Sequence, residues 1–283
     1  MGDTEHLGPA TPLVSPGSPR LHLLVSPNDK DELRIPCRRV VTLLGSQKAC
    51  KIRLPHSLVS GVHLAIVNDG ASIVAVDLVT RYGTLLNGLK LEHEELSDDD
   101  ALTVGPWEFR VVIEAADHQG HQDLHPLGLE PAPQMVALEH EGTGNVLRPN
   151  RALCTVGRRA GCDIVVSDVR VSRVHALLLN YFGHPAVFDL LSHNGTQING
   201  QTVGYRLLEE GDVLTVGETS FVVHLTAASA KRAVQKGPAP GMLRAVSADP
   251  DEPEPDLIDI KKTEQAQRWR IADSADKLAR GSA

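Results

Sequence analysis

Apolar residues along this chain gather in short runs separated by Gly, Asn, Asp or Pro. The run at 21–25 is followed by Pro27-Asn28-Asp29, and the runs at 163–166 and 176–179 are too short for helices. β-Branched residues within the runs and turn-forming residues between them predict strands joined by tight loops. Polar side chains at strand ends and on those loops are then presented by a rigid sheet, where a ligand can reach them. The expected fold class is all-β.

The pattern occurs twice, at a constant spacing of 112 residues. Gly45 recurs as Gly157, Cys50 as Cys162, Ile52 as Ile164, Ser60 as Ser172 and His63 as His175. Asp77-Leu78 recurs as Asp189-Leu190, Gly83-Thr84 as Gly195-Thr196, and Asn87-Gly88 as Asn199-Gly200. An offset that never slips through so many turns implies two copies of one fold with equal loop lengths. The expected domains are residues 20–115 and 134–226. Residues 1–19, rich in Pro, Gly, Ser and Thr, read as a disordered arm. Residues 116–133, polar and with three prolines, read as a flexible linker. The tail, 227–283, contains an acidic run at 249–256. Its stretch 257–280 places Ile260, Ala266, Ile271 and Leu278 near one helical face, which fits a short helix, a disordered segment or one that folds on a partner.

Between Gly157 and Gly200 lie Arg158, then Ser172-Arg173 with His175, then Asn194-Gly195-Thr196 and Asn199. Two guanidinium groups, a hydroxyl and a carboxamide are rich in donors and suit a phosphate dianion. Gly-Arg, Ser-x-x-His and Asn-Gly in this order resemble the signature of the forkhead-associated (FHA) domain, a β-sandwich that reads phosphothreonine in partner proteins. The resemblance covers both halves and implies two FHA-type β-sandwich domains in tandem. It also implies roles. Arg158 and Ser172 would contact the phosphate, Arg173 the phosphate or the nearby peptide, and Asn194 the peptide main chain just beyond it. Gly157, His175, Gly195, Thr196 and Asn199 would support the site, with His175 bracing the binding loops. The implied partner is a phosphothreonine-containing protein, such as a Ser/Thr kinase or its substrate, and the implied role is that of a non-catalytic adaptor in kinase signalling.

The repeat allows the two copies to be compared within one molecule. Ser46 stands in the first copy where the second has Arg158, Gly61 where it has Arg173, and Tyr82 where it has Asn194. Positions of the framework persist while these ligand-facing ones do not. The second domain is therefore expected to bind phosphothreonine and the first to be degenerate, a packing partner or a phosphate-independent surface. The alternative for the whole chain is a phosphate-independent scaffold or dimerisation protein.

Composition narrows this further. Hydrophobic residues make up 41% and aromatics only 3%, so the cores must be mainly Val, Leu, Ile and Ala. A net charge of −8 argues against general nucleic-acid binding, which needs a basic face. No run approaches the ~20 apolar residues of a membrane helix, and 1–16 do not resemble a secretory signal. Cys37, Cys50, Cys154 and Cys162 lack CxxC spacing and read as buried thiols of a reducing, cytoplasmic compartment. Cys154 or Cys162 with His175 and Asp189 is the one arrangement suggesting a nucleophile and base, but no nucleophile-turn motif accompanies it. The linker histidines His118, His121 and His125 lack a preorganised frame for a metal. No cofactor or metal is expected.

Overall fold

In the computed structural model the short apolar runs become strands, and no helix occurs among the described residues. Those residues are 12–14, 18–26, 32–70, 72–114, 136–149, 153–181, 184–225 and 258–260. Each copy of the repeat forms two sheets. In the first domain one sheet runs Leu33–Cys37, Arg20–Val25, Trp107–Glu114, Ala101–Val104, Thr84–Leu86, Leu89–Leu91 in spatial order. Its partner contains Ile52–Arg53, Val41–Gly45, Leu64–Asn68, Ile73–Asp77 and His93–Glu95. The second domain repeats both, with Leu153–Gly157, Ala176–Tyr181 and His184–Asp189 at the centre of the second sheet. The chain is all-β and consists of two β-sandwich domains in tandem.

The cores follow from strand alternation. Trp107–Glu114 alternates buried and exposed positions, sending Trp107, Phe109 and Val111 inward against Leu23, Leu44, Ile66 and Leu102. In the second domain Phe221, Val223, Leu214 and Val156 do the same. A half-buried strand reads this way because successive side chains point to opposite faces.

The central strands of the second sheets behave differently. Every residue of Val41–Gly45, Leu64–Asn68 and Leu153–Gly157 is buried, so both faces of these strands are covered. One face belongs to its own sandwich. The other meets the opposite domain: Val41, Ala65, Val67, Val74 and Val76 share one apolar cluster with Leu153, Leu177, Leu179, Ala186 and Phe188. These are the same positions in both copies, 112 residues apart, so the two domains pack through equivalent faces as subunits of a symmetric dimer do. Small aliphatic side chains suit a flat sheet-on-sheet contact.

Two contacts arise in stretches expected to be irregular. Val14 donates its N–H to the Arg38 carbonyl at 2.8 Å, and Leu13 bridges Arg39. In the tail, Ile258–Asp259 is a strand, so a short helix, one of the readings of 257–280, does not begin there; residues 257 and 261–280 lie outside the described residues. The strand pairs in parallel with Ile52–Arg53, with Ile258 N–H to Lys51 O at 3.0 Å and Ile260 N–H to Arg53 O at 2.9 Å. Ile260 is 1% exposed and belongs to the first domain's core. Hence the first domain's second sheet has six strands and its counterpart five.

Because Ile260 fills core space, Ile260→Ala is expected to destabilise the first domain by about 2–5 kcal/mol, the usual cost of such a truncation. Amide hydrogen exchange read separately for the two domains checks this, since the second domain's protection should be unchanged.

Candidate functional site

The loops that carry the phosphate-type residues all leave the same end of the second sandwich. Leu153–Gly157 ends at Gly157, where a Cβ would stand 2.4 Å from the Arg173 carbonyl oxygen. Only glycine permits so close an approach, and Gly45 faces the Gly61 oxygen at 2.1 Å in the same way. Just beyond it the backbone ties the two loops together. Arg158 N–H donates to Ser172 O at 3.0 Å, and Arg159 N–H to Arg173 O at 3.1 Å.

His175 joins this pair of loops to a third. Its ring is fully buried, Nδ1 accepts the Ser172 N–H at 3.0 Å, and Nε2 lies 3.1 Å from the Gly195 carbonyl oxygen. An imidazole that accepts at Nδ1 and donates from Nε2 is the neutral tautomer. Gly195 itself sits at φ 76, and Asn199 at φ 52 in the next turn, where Asn and Gly are the tolerant residues. Asn199 holds that turn by donating Nδ2–H to Asp212 at 2.7 Å and accepting Val213 N–H at 2.8 Å. Thr196 is buried and donates to Asp189 Oδ1 at 2.8 Å.

On this frame Arg158, Ser172, Arg173 and Asn194 line a single cleft of about 450 Å³. Arg158, Arg173 and Asn194 are exposed at its surface. Neither Arg158 nor Arg173 has a hydrogen-bond or ion-pair partner for its guanidinium among the described residues. Ser172 Oγ accepts the His193 N–H at 3.0 Å, which leaves its own proton free to donate outward. Asn194 Nδ2 donates to Arg170 O at 2.6 Å, which leaves its carbonyl oxygen as an acceptor. The cleft therefore offers two cations, a hydroxyl donor and an amide acceptor.

Several lining residues were not singled out from sequence. Arg159 and Arg170 come from the second domain, and Arg81 and Gln47 from the first. Arg81 stands 112 residues before His193, which lines the same cleft. Arg170 is matched by Glu218 at 2.8 Å. Asp168 accepts the N–H groups of Arg170 at 2.8 Å and Glu218 at 2.6 Å, which hold its carboxyl below the usual range.

The thiols sit differently from a nucleophile beside a base. All four cysteines are buried, and none is joined in a disulfide. Cys162 Sγ is 3.3 Å from the Arg173 carbonyl and Cys50 Sγ 3.3 Å from that of Gly61. Burial raises the Cys162 pKa and pushes that of Cys50 up to about 12. His175 meanwhile spends both ring nitrogens on backbone groups. The linker histidines lie outside the described residues.

Comparison with known proteins agrees with this architecture. The family model for the FHA domain matches twice, at residues 42–105 and 154–217. An oxoglutarate dehydrogenase inhibitor of Corynebacterium diphtheriae is 32% identical over 108 residues, which are 38% of this chain and 73% of the relative. An ABC transporter ATP-binding/permease protein of Mycobacterium tuberculosis is 38% identical over 84 residues, 27% of this chain but only 10% of the transporter. Among solved structures, Mycobacterium tuberculosis EmbR in complex with a low-affinity phosphopeptide is 24% identical, with a TM-score of 0.32, over 34% of this chain and 26% of that one.

Burial lowers the pKa of both His175 and His63 below 6.5; Asp189 and the Gly195 carbonyl oppose this at His175, as Asp77 and the Gly83 carbonyl do at His63. The unfolded chain therefore takes up protons first as pH falls. The stability these rings contribute is complete above about pH 6.5 and is lost as pH falls through their folded values. His224, held above 6.5 by Glu210 and Glu139, has the opposite sign. Site-resolved NMR titration of the ring carbons should give midpoints below 6.5 for His63 and His175 and above it for His224.

Proposed function

Because this chain belongs to the FHA-domain family, and one of its two domains holds unpaired arginines in a donor-rich cleft, we propose that it is a non-catalytic adaptor in Ser/Thr kinase signalling that binds phosphothreonine peptides through its second domain. The observation that carries this is the convergence of Arg158, Ser172, Arg173 and Asn194 on one cleft, with both guanidinium groups uncommitted among the described residues.

Each residue has a distinct task in this reading. A phosphothreonine carries a charge of about −2 at neutral pH, with three acceptor oxygens. Arg158 supplies charge-assisted, bidentate hydrogen bonds to two of them. The Ser172 hydroxyl, already oriented by the His193 N–H, donates to a phosphate oxygen. Arg173 neutralises the remaining charge. The free oxygen of Asn194 accepts a main-chain N–H of the peptide and so fixes its direction. Gly157, His175, Gly195, Thr196 and Asn199 hold the loops in register and do not touch the ligand.

The first domain keeps the same frame without the ligands. His63 accepts Ser60 N–H at 3.0 Å and its Nε2 lies 3.2 Å from Gly83 O, as in the second copy. Yet Ser46, Gly61 and Tyr82 stand where the guanidiniums and carboxamide would be. Its extensive contact with the second domain and its capture of the tail strand support a scaffold role for it. The partner is a phosphothreonine-bearing protein, for which a Ser/Thr kinase or its substrate is the natural class.

Binding of a degenerate phosphothreonine peptide library to the full chain tests the reading. Hydrogen bonds to charged groups are worth about 1.5–3 kcal/mol, so Arg158→Ala should weaken binding at least tenfold. The unphosphorylated library should not bind. Phosphate-dependent binding that survives Arg158→Ala would move the site elsewhere, and no binding at all would favour the scaffold alternative.

A further inference from the structure

The cleft beside Arg158 is not built by the second domain alone. Its far wall comes from the first domain, where Gln47, Gly61 and Arg81 face the arginine loops. The two walls are locked together. The Arg159 guanidinium donates to the Val79 carbonyl oxygen. Gly161 lies so near that a Cβ there would stand 2.5 Å from Val79 Cγ1. Val79, a β-branched residue, holds φ 52, a conformation that persists only where its surroundings enforce it. Beneath them lies the apolar contact between the domains. Arg81, two residues on from Val79, is thereby held at the rim of the second domain's cleft.

The charges of the cleft exceed what one phosphate needs. Among the described residues five arginines line it (Arg81, Arg158, Arg159, Arg170 and Arg173), and no carboxylate does. Arg170 is matched by Glu218, and Arg159 is engaged with Val79. Arg158 and Arg173 balance a phosphate of about −2. Arg81 is left over. It is exposed, and its guanidinium carbon lies 5.3 Å from the centroid of the Tyr82 ring, a position that costs it none of its charge. Surplus positive charge focused in a cleft of a protein with net charge −8 is directed at an anion.

We propose that the binding site is composite, and that Arg81 of the first domain pairs with a second negative charge on the same phosphothreonine peptide, either an acidic side chain or a second phosphate. This rests on the second domain binding phosphothreonine. It also gives the first domain a role in ligand choice: it has lost its own phosphate ligands, yet it reads the sequence around the phosphothreonine bound next door.

The test measures affinities of the full chain for a phosphothreonine peptide with neutral flanks and for a set in which one Glu, or one phosphoserine, is scanned across the flanking positions. Wild type, Arg81→Gln, Arg81→Lys and Arg158→Ala are compared at low and high salt. At the favoured position Glu should tighten wild-type binding about three- to fivefold, as an exposed ion pair would, and phosphoserine by more. Arg81→Gln should remove that gain, so that the acidic-flank and neutral-flank peptides bind alike, Arg81→Lys should keep most of it, and high salt should shrink it. If no flanking anion tightens binding, or if the gain survives Arg81→Gln while Arg158→Ala still abolishes binding, the composite site is wrong and the phosphothreonine reading stands. Binding indifferent to Arg158→Ala, or no phosphopeptide binding at all, overturns both.

Discussion

One buried imidazole connects the three loops of the candidate site. His175 accepts the N–H of Ser172 through Nδ1 and points Nε2 at the carbonyl of Gly195, so two separate loops share a single neutral ring. Both contacts satisfy backbone groups, and a buried N–H or C=O left unpaired costs about 1–3 kcal/mol. The ring is thereby constrained to one tautomer and one orientation. Everything the cleft presents inherits this geometry. Ser172 follows from its N–H being held, Asn194 from the fixed Gly195, and Arg158 from the backbone bond between its N–H and Ser172 O.

The same ring, with the same two bonds, occurs in the first domain around His63. That repetition separates two kinds of requirement that are usually confounded. A residue retained in both copies answers a demand of the fold: Gly45 and Gly157 admit a carbonyl where a Cβ would collide. A residue present in only one copy answers no such demand. Ser46, Gly61 and Tyr82 are compatible with an intact frame, which shows that Arg158, Arg173 and Asn194 are not needed for folding. Their presence in the second domain is therefore what the proposed phosphopeptide binding accounts for.

The pairing of the domains adds a level that neither copy has alone. Equivalent apolar faces close on each other and leave loops of both sandwiches opening on one cleft. The first domain, without counterparts of Arg158, Arg173 and Asn194, still contributes to that cleft through its position. The tail works in the opposite direction along the chain: a strand far beyond the second domain returns to the edge of the first and adds Ile260 to its core. A parallel strand can join that edge because Ile52–Arg53 otherwise leaves its outer backbone groups open.

Local pattern carried much of this in the sequence. Strands, turns and the equality of the two copies were legible because strand length, turn chemistry and loop length are properties of near neighbours, and a constant offset of 112 exposes their repetition. The membership of Arg158, Ser172, Arg173 and Asn194 in one cleft was foreshadowed by their places on loops flanking successive strands. Other features depend on distant parts of the chain meeting. The runs at Val41–Gly45 and Leu153–Gly157 would read alike with one face buried or with two, so their pairing across domains left no mark in the local pattern. The stretch holding Ile260 suits a helix by its own periodicity, yet it lies in a strand-paired segment because an open edge and a core vacancy in another domain outweigh a weak local preference. Arg81 is an ordinary surface arginine in its own domain. Only the contact between the two sandwiches, a long-range apolar burial with no sequence spacing of its own, decides which cleft it faces.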